Sequence, residues 1–136
     1  MYSLKPVLLI EDDQIDQASV QKAFVQLNIK NDLIIRENGK EGLNYLKEAE
    51  RPCLIILDLN MPRMNGMEFL DVIKKDKFYK NIPVIVFTTS SEEGEKIKAY
   101  DKGVVGYIVK PPSYKKIVDI FKSIDVYWTI SEGPIS

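Results

Sequence analysis

The sequence predicts a doubly wound α/β domain, a five-stranded parallel sheet with helices on both faces. Two observations carry that prediction. Apolar runs such as Val7-Leu8-Leu9-Ile10 and Leu54-Ile55-Ile56-Leu57 are short, do not alternate and end in acids, as strands buried on both faces do. Stretches of helical apolar spacing separate them, so that strand and helix alternate five times, which calls for right-handed βαβ crossovers and a parallel sheet.

Taken in order, the first strand closes on Glu11 and Asp12, and Asp13 stands where a helix cap belongs. Residues 14–27 form the first helix, with Ile15, Ala18, Ala23, Phe24 and Leu27 near helical spacing. Leu33-Ile34-Ile35 reads as a second strand and Asn38-Gly39 as a turn. The helix over 40–49 turns Leu43 and Leu46 inward. The third strand ends at Asp58, and a loop through Pro62 and Gly66 leads to a helix over 67–75. Val84-Ile85-Val86-Phe87 is the fourth strand, running into Thr88-Thr89-Ser90, before a charged helix over 92–101. Tyr107-Ile108-Val109 is a short fifth strand ending at Lys110, and Ser113 caps a last helix with Ile117, Phe121 and Ile124 on one face. Five such strands suit the flavodoxin-like order 2-1-3-4-5.

Composition narrows the function. The 136 residues fit one domain, and a net charge of −1 gives no reason to expect nucleic acid. No apolar run nears the ~20 residues of a membrane span, and no secretory signal opens the chain. A lone cysteine, Cys53, reads as a small buried or edge residue and suits a reducing cytoplasm. The chain has no histidine, which excludes Ser-His-Asp and Cys-His catalysis and imidazole metal ligands. A metal here must take oxygen, which points to Mg²⁺.

In the order 2-1-3-4-5, strands 1 and 3 are neighbours at the switch point, and their carboxyl ends line the ligand crevice. Glu11, Asp12 and Asp58 therefore gather at one mouth. Two unit charges ~4 Å apart repel by about 4 kcal/mol at an intermediate dielectric, so the cluster needs a cation or a proton. Asp12 and Asp58, with waters and the Asn60 backbone carbonyl, supply the oxygens Mg²⁺ takes. Asp58 is the candidate nucleophile, since carboxylates accept phosphoryl groups as acyl phosphates. Thr88 and Lys110 end on the same edge and would neutralise a phosphoryl group. Alone, Lys110 reads as a surface lysine and Thr88 as an ordinary β-branched strand residue.

The chain resembles the receiver domains of two-component response regulators over nearly its whole length. The motifs are Glu11-Asp12-Asp13 after the first strand, Leu57-Asp58-Leu59-Asn60-Met61-Pro62 with Gly66, Pro83 to Thr88, and Tyr107-Ile108-Val109-Lys110-Pro111. The resemblance implies a receiver domain over 1–125 and a tail over 126–136. It implies phosphorylation of Asp58 and a Mg²⁺ shell from Glu11, Asp12, Asp58 and the Asn60 carbonyl. Lys110 would pair with the phosphoryl group, and Thr88 would swing toward it as Tyr107 changes rotamer; a static half-buried Tyr107 is the alternative. Family members often have a cis bond before the proline that is Pro111 here. Because the chain holds no histidine, the donor must be a phosphohistidine on another molecule, a sensor histidine kinase or a phosphotransfer protein. Arg51-Pro52, Pro62-Arg63-Met64-Asn65-Gly66, the long 75–83 connection, Thr88-Thr89-Ser90 and Tyr127-Trp128 look like stand-alone receivers linked to bacterial phytochromes and related sensor kinases.

The expected function is a non-enzymatic cytoplasmic phosphorelay switch with output through protein contact. Ile97, Tyr100, Tyr107, Tyr114 and Val118 are the candidate contacts. Trp128, placed beyond the last helix, either caps the core or packs in a homodimer. The alternatives are a Mg²⁺-dependent phosphohydrolase with an aspartyl-phosphate intermediate, an FMN carrier and an unphosphorylated scaffold. The first lacks an acid at position 60, where Asn60 stands; the second lacks a phosphate-binding loop; the intact acid, threonine and lysine set disfavours the third.

Overall fold

The computed structural model describes residues 4–130. Its elements alternate as the apolar pattern dictates: β1 (Val7–Ile10), α1 (Gln14–Gln26), β2 (Leu33–Arg36), α2 (Gly39–Glu48), β3 (Leu54–Leu57), α3 (Gly66–Lys74), β4 (Val84–Thr88), α4 (Glu93–Asp101), β5 (Gly106–Val109) and α5 (Tyr114–Ile130). The strands form one parallel sheet in the order β2-β1-β3-β4-β5.

Every residue of β1, β3 and β4 is buried because each face of the sheet has its own core. Leu8, Ile10, Ile55, Leu57, Val84 and Val86 point into one core, with Phe69, Leu70 and Ile73 of α3 and Ala99 of α4. Val7, Leu9, Leu54, Ile56, Ile85 and Phe87 point into the other, with Val20, Ala23 and Phe24 of α1 and Phe121 of α5. There Phe121 meets Phe24 and Phe87 edge-on, with centroids 5.7 and 5.6 Å away, a preferred aromatic geometry. Strands β2 and β5 are the sheet's edges and are only partly covered.

Several details depart from the sequence reading. Ile15 is 77% exposed, and Ala18 is exposed as well. Helical spacing allowed two overlapping faces for α1, and the one bearing Val20, Ala23 and Phe24 turns inward. Val118, expected on the surface, is buried in the second core. Helix α5 continues to Ile130, since nothing in 114–130 is Gly or Pro to stop it. Tyr127 and Trp128 therefore lie inside that helix; residues 131–136 of the predicted tail lie outside the described residues. Trp128 packs partly buried on the α1/α5 core, while Tyr127 is exposed. No peptide bond among the described residues is cis, so the bond before Pro111 is trans.

One loop ties the fold to the carboxyl edge. After β3 the chain folds back so closely that a Cβ on Gly66 would sit 2.5 Å from the Asp58 carbonyl oxygen and 2.8 Å from Leu59 Cα. Both obstacles are backbone and cannot swing away. The Gly66 N–H donates to the Leu59 carbonyl (3.0 Å), and Asn65 with Glu68 closes a reciprocal cap on α3. Gly66→Ala is expected to destabilise the fold by about 1–3 kcal/mol, as overpacking does. Chemical denaturation checks this, and an unchanged midpoint would contradict the packing account.

Candidate functional site

Register brings the acids together. Ile10 lies opposite Leu57, and the Asp58 N–H donates to the Ile10 carbonyl (3.0 Å), so the residues beyond each strand emerge side by side. Carboxylate oxygens of Glu11, Asp12 and Asp58 all lie within 4.8 Å of one another. Glu11 and Asp58 are buried, whereas Asp12 faces solvent.

Strand β5 delivers the counter-charge. The Lys110 N–H donates to the Thr88 carbonyl (2.7 Å), extending the ladder by one residue. Its ammonium, 8% exposed, lies 2.5 Å from Glu11 Oε1, 2.8 Å from Asp16 Oδ2 and 3.4 Å from Asp58 Oδ2. The Phe87 ring adds its face, 5.8 Å from Nζ. Thr88 is fully buried at the end of β4, and its Oγ1 accepts from the Ser90 N–H (3.4 Å). The Tyr107 hydroxyl donates to the Ser90 carbonyl (2.9 Å). Asn60 stands exposed beside the cluster, its N–H donating to Asp58 Oδ1 (3.4 Å).

Asp16 was missed in the sequence. It sits in the first turn of α1, where an aspartate is ordinarily explained by the helix dipole. Asp13 fixes that turn as the cap, accepting from the Ile15 and Asp16 N–H groups (2.8 and 3.0 Å). A Lys110 long enough to cross β4 was the available signal, but the sequence alone does not show which helical acid it would reach.

The charges set the protonation. Burial pushes the Glu11 carboxyl up to about 8; the hydrogen bond from Lys110 opposes this and the Asp58 charge adds to it. Burial would lower Lys110, yet hydrogen bonds to Asp16 and Glu11, with the charges of Glu11 and Asp58, outweigh it and raise the ammonium above its ordinary value. Lys110 thus stays charged, and Glu11 keeps a proton more readily than an exposed carboxyl does. The carboxylate oxygens of Glu11, Asp12 and Asp58, gathered within 4.8 Å with no nitrogen or sulfur ligand among them, make an all-oxygen donor set that fits a hard divalent cation. Asp12, the exposed member of the cluster, also lines an open cleft of about 450 Å³ with Arg36, Glu37, Asn38, Glu41 and Arg63.

The chain matches the family model "Response regulator receiver domain" over residues 7–122, and it belongs to that family. Response regulator Rcp1 of Synechocystis sp. is 35% identical over 130 residues, covering 91% of this chain and 88% of Rcp1. The crystal structure of the phosphorylated cyanobacterial phytochrome response regulator RcpA superposes with a TM-score of 0.90 at 33% identity, covering 97% of this chain and 99% of RcpA. The Mn²⁺-bound form of Rcp1 gives a TM-score of 0.87 at 34% identity, covering 96% and 99%. The fold and the receiver identity predicted from the motifs are thereby shown. No helix among the described residues is long and apolar enough to cross a membrane.

The raised Glu11 would make cation binding at this cluster depend on pH. Its carboxyl ordinarily loses its proton near 4.5 but keeps it to about 8 in the fold. Between those values the folded state holds the extra proton, so Glu11's contribution to folding stability falls as pH rises through that window. A divalent ion held directly by this carboxylate would displace that proton. Affinity for a divalent cation is therefore expected to climb with pH toward about 8, with proton release on binding below it. Calorimetric titrations in buffers of different ionisation enthalpy check this; a pH-independent affinity would contradict it.

Proposed function

We propose that the protein is a single-domain response regulator that accepts a phosphoryl group on Asp58 and so switches a protein-interaction surface. The carrying observation is the Lys110 ammonium, buried between carboxylates and 3.4 Å from Asp58 Oδ2. It is a positive charge already beside the oxygen on which a phosphoryl group would arrive. The donor is a phosphohistidine of a sensor histidine kinase or phosphotransfer protein; its N–P bond breaks as the Asp58 O–P bond forms. Phosphoryl transfer asks little of a protein beyond positioning and charge neutralisation. Lys110 would meet one phosphoryl oxygen and the buried Thr88 hydroxyl another. Glu11, Asp12, Asp58 and the Asn60 carbonyl would hold Mg²⁺, which supplies positive charge to the phosphoryl oxygens. The likeness to RcpA, a phosphorylated phytochrome response regulator, supports a similar role here, under a phytochrome or related sensor kinase.

The output surface is the α4–β5–α5 side. Ile97, Tyr100, Val105 and Val109 are exposed there, and Tyr107 connects it to the site through the Ser90 carbonyl. Thr88 and Tyr107 would move together on phosphorylation and bias that face between two arrangements, changing contact with a partner or a second copy. The protein works as a signalling phosphoacceptor in the cytoplasm, and Asn60 offers no acid where a phosphohydrolase of this kind uses a proton donor.

Acetyl phosphate with Mg²⁺ is expected to add one phosphoryl mass to the wild-type protein and none to Asp58→Asn, read by intact-mass spectrometry. Label on Asp58→Asn would remove Asp58 from the role. Size-exclusion chromatography with and without beryllofluoride reads the surface; an unchanged elution together with unchanged Tyr107 resonances would refute the switch.

A further inference from the structure

We propose that Asp16 is a positioning residue that holds Lys110 back from Asp58 and so opposes the phosphorylated form. This rests on the reading of Asp58 as phosphoacceptor. The Lys110 ammonium is closer to Asp16 Oδ2, at 2.8 Å, than to Asp58 Oδ2, at 3.4 Å, and it donates to both. Its three protons are shared among Asp16, Glu11 and Asp58. An arriving phosphoryl group has to draw the ammonium from that set.

Asp16 is well placed to compete. Its backbone is pinned by the Asp13 cap, and the next residue, Gln17, donates from Nε2 to the Glu11 carbonyl (2.7 Å). The carboxylate thus projects from a fixed first turn rather than a loop. At 29% exposure it is only partly screened by water, and its partner lysine is nearly buried.

Charge acts in the same direction as competition. Phosphorylation replaces the Asp58 carboxylate charge with a phosphoryl group carrying close to two negative charges. A fixed Asp16 charge nearby repels that group, whereas it attracts a divalent cation. Removing the charge should therefore affect the two ligands oppositely. Loss of packing would weaken both.

The test compares wild type, Asp16→Asn and Asp16→Glu by calorimetry, with Mg²⁺ alone and with beryllofluoride at saturating Mg²⁺. Asp16→Asn is expected to bind beryllofluoride about fivefold more tightly and Mg²⁺ alone more weakly, with Asp16→Glu close to wild type in both. Any other pairing for Asp16→Asn overturns the inference while leaving Asp58 as phosphoacceptor. Asp16→Ser supplies the same neutral substitution should Asp16→Asn not fold; if neither folds, Asp16 is structural and the inference is lost. A wild-type protein that takes up no beryllofluoride would remove the phosphoacceptor reading and this inference together.

Discussion

The ion cluster around Lys110 is the constraint on which the carboxyl edge depends. Glu11 and Asp58 are buried at the ends of adjacent strands, where burial and the neighbouring Asp58 charge both oppose ionisation of Glu11. Lys110 makes that tolerable. Its charge is supplied from β5, so its stem must cross the end of β4 to reach β3 and β1, passing the Phe87 ring on the way. Buried ion sets are weak sources of net stability, because desolvation consumes most of the attraction, but losing one partner leaves charge stranded. The cluster therefore specifies more than it stabilises. It requires β1, β3 and β5 to end at one level and β4 to end in something small enough to pass over. Thr88 meets that demand.

The close approach at Gly66 belongs to the same constraint. Asp58 has to end its strand and still leave its carboxylate facing the mouth, so the chain turns at once. The following loop lies directly on the Asp58 and Leu59 backbone, where no side chain fits. The cap formed by Asn65 and Glu68 then starts α3 immediately, leaving Asp58 little backbone freedom. Under the proposed function that restraint serves Asp58 as phosphoacceptor, since positioning would be most of what the protein contributes to the transfer.

What the sequence made legible was whatever depends on strand period and strand end. Buried runs such as Leu54 to Leu57 announce a central strand, and the residue after each run is at the carboxyl edge by construction. Hence the acids, Thr88 and Lys110 could be placed together without coordinates. Helical residues were less legible. A helix offers several overlapping faces, and only packing chooses among them, so Ile15 was counted with the apolar spacing although it is exposed, and Val118 was assigned to the surface although it is buried. Asp16 escaped for a related reason: its role depends on where a side chain from the far end of the chain arrives. The length of α5 was legible but not taken up: no Gly or Pro stops it between Asp125 and Ile130, and Trp128 continues the face of Ile117, Phe121 and Ile124 onto the same core.

The same structure explains why the proposed output lies beside α4. Ala99 is the one buried residue of that helix, and Glu92 at its start makes no side-chain cap. By contrast, α3 buries Gly66, Phe69, Leu70 and Ile73 and carries a reciprocal cap. Local stability follows buried apolar contact and satisfied ends, so α4 is an element that a small change can shift. It begins a few residues after Thr88 and Ser90, and Tyr107 is hydrogen-bonded to that connection. Movement of the Thr88 hydroxyl by even an ångström would be felt by the Ser90 carbonyl, hence by Tyr107 and the first turn of α4. Under the proposed function the rigid half of the carboxyl edge captures the phosphoryl group, and the weakly anchored half reports it.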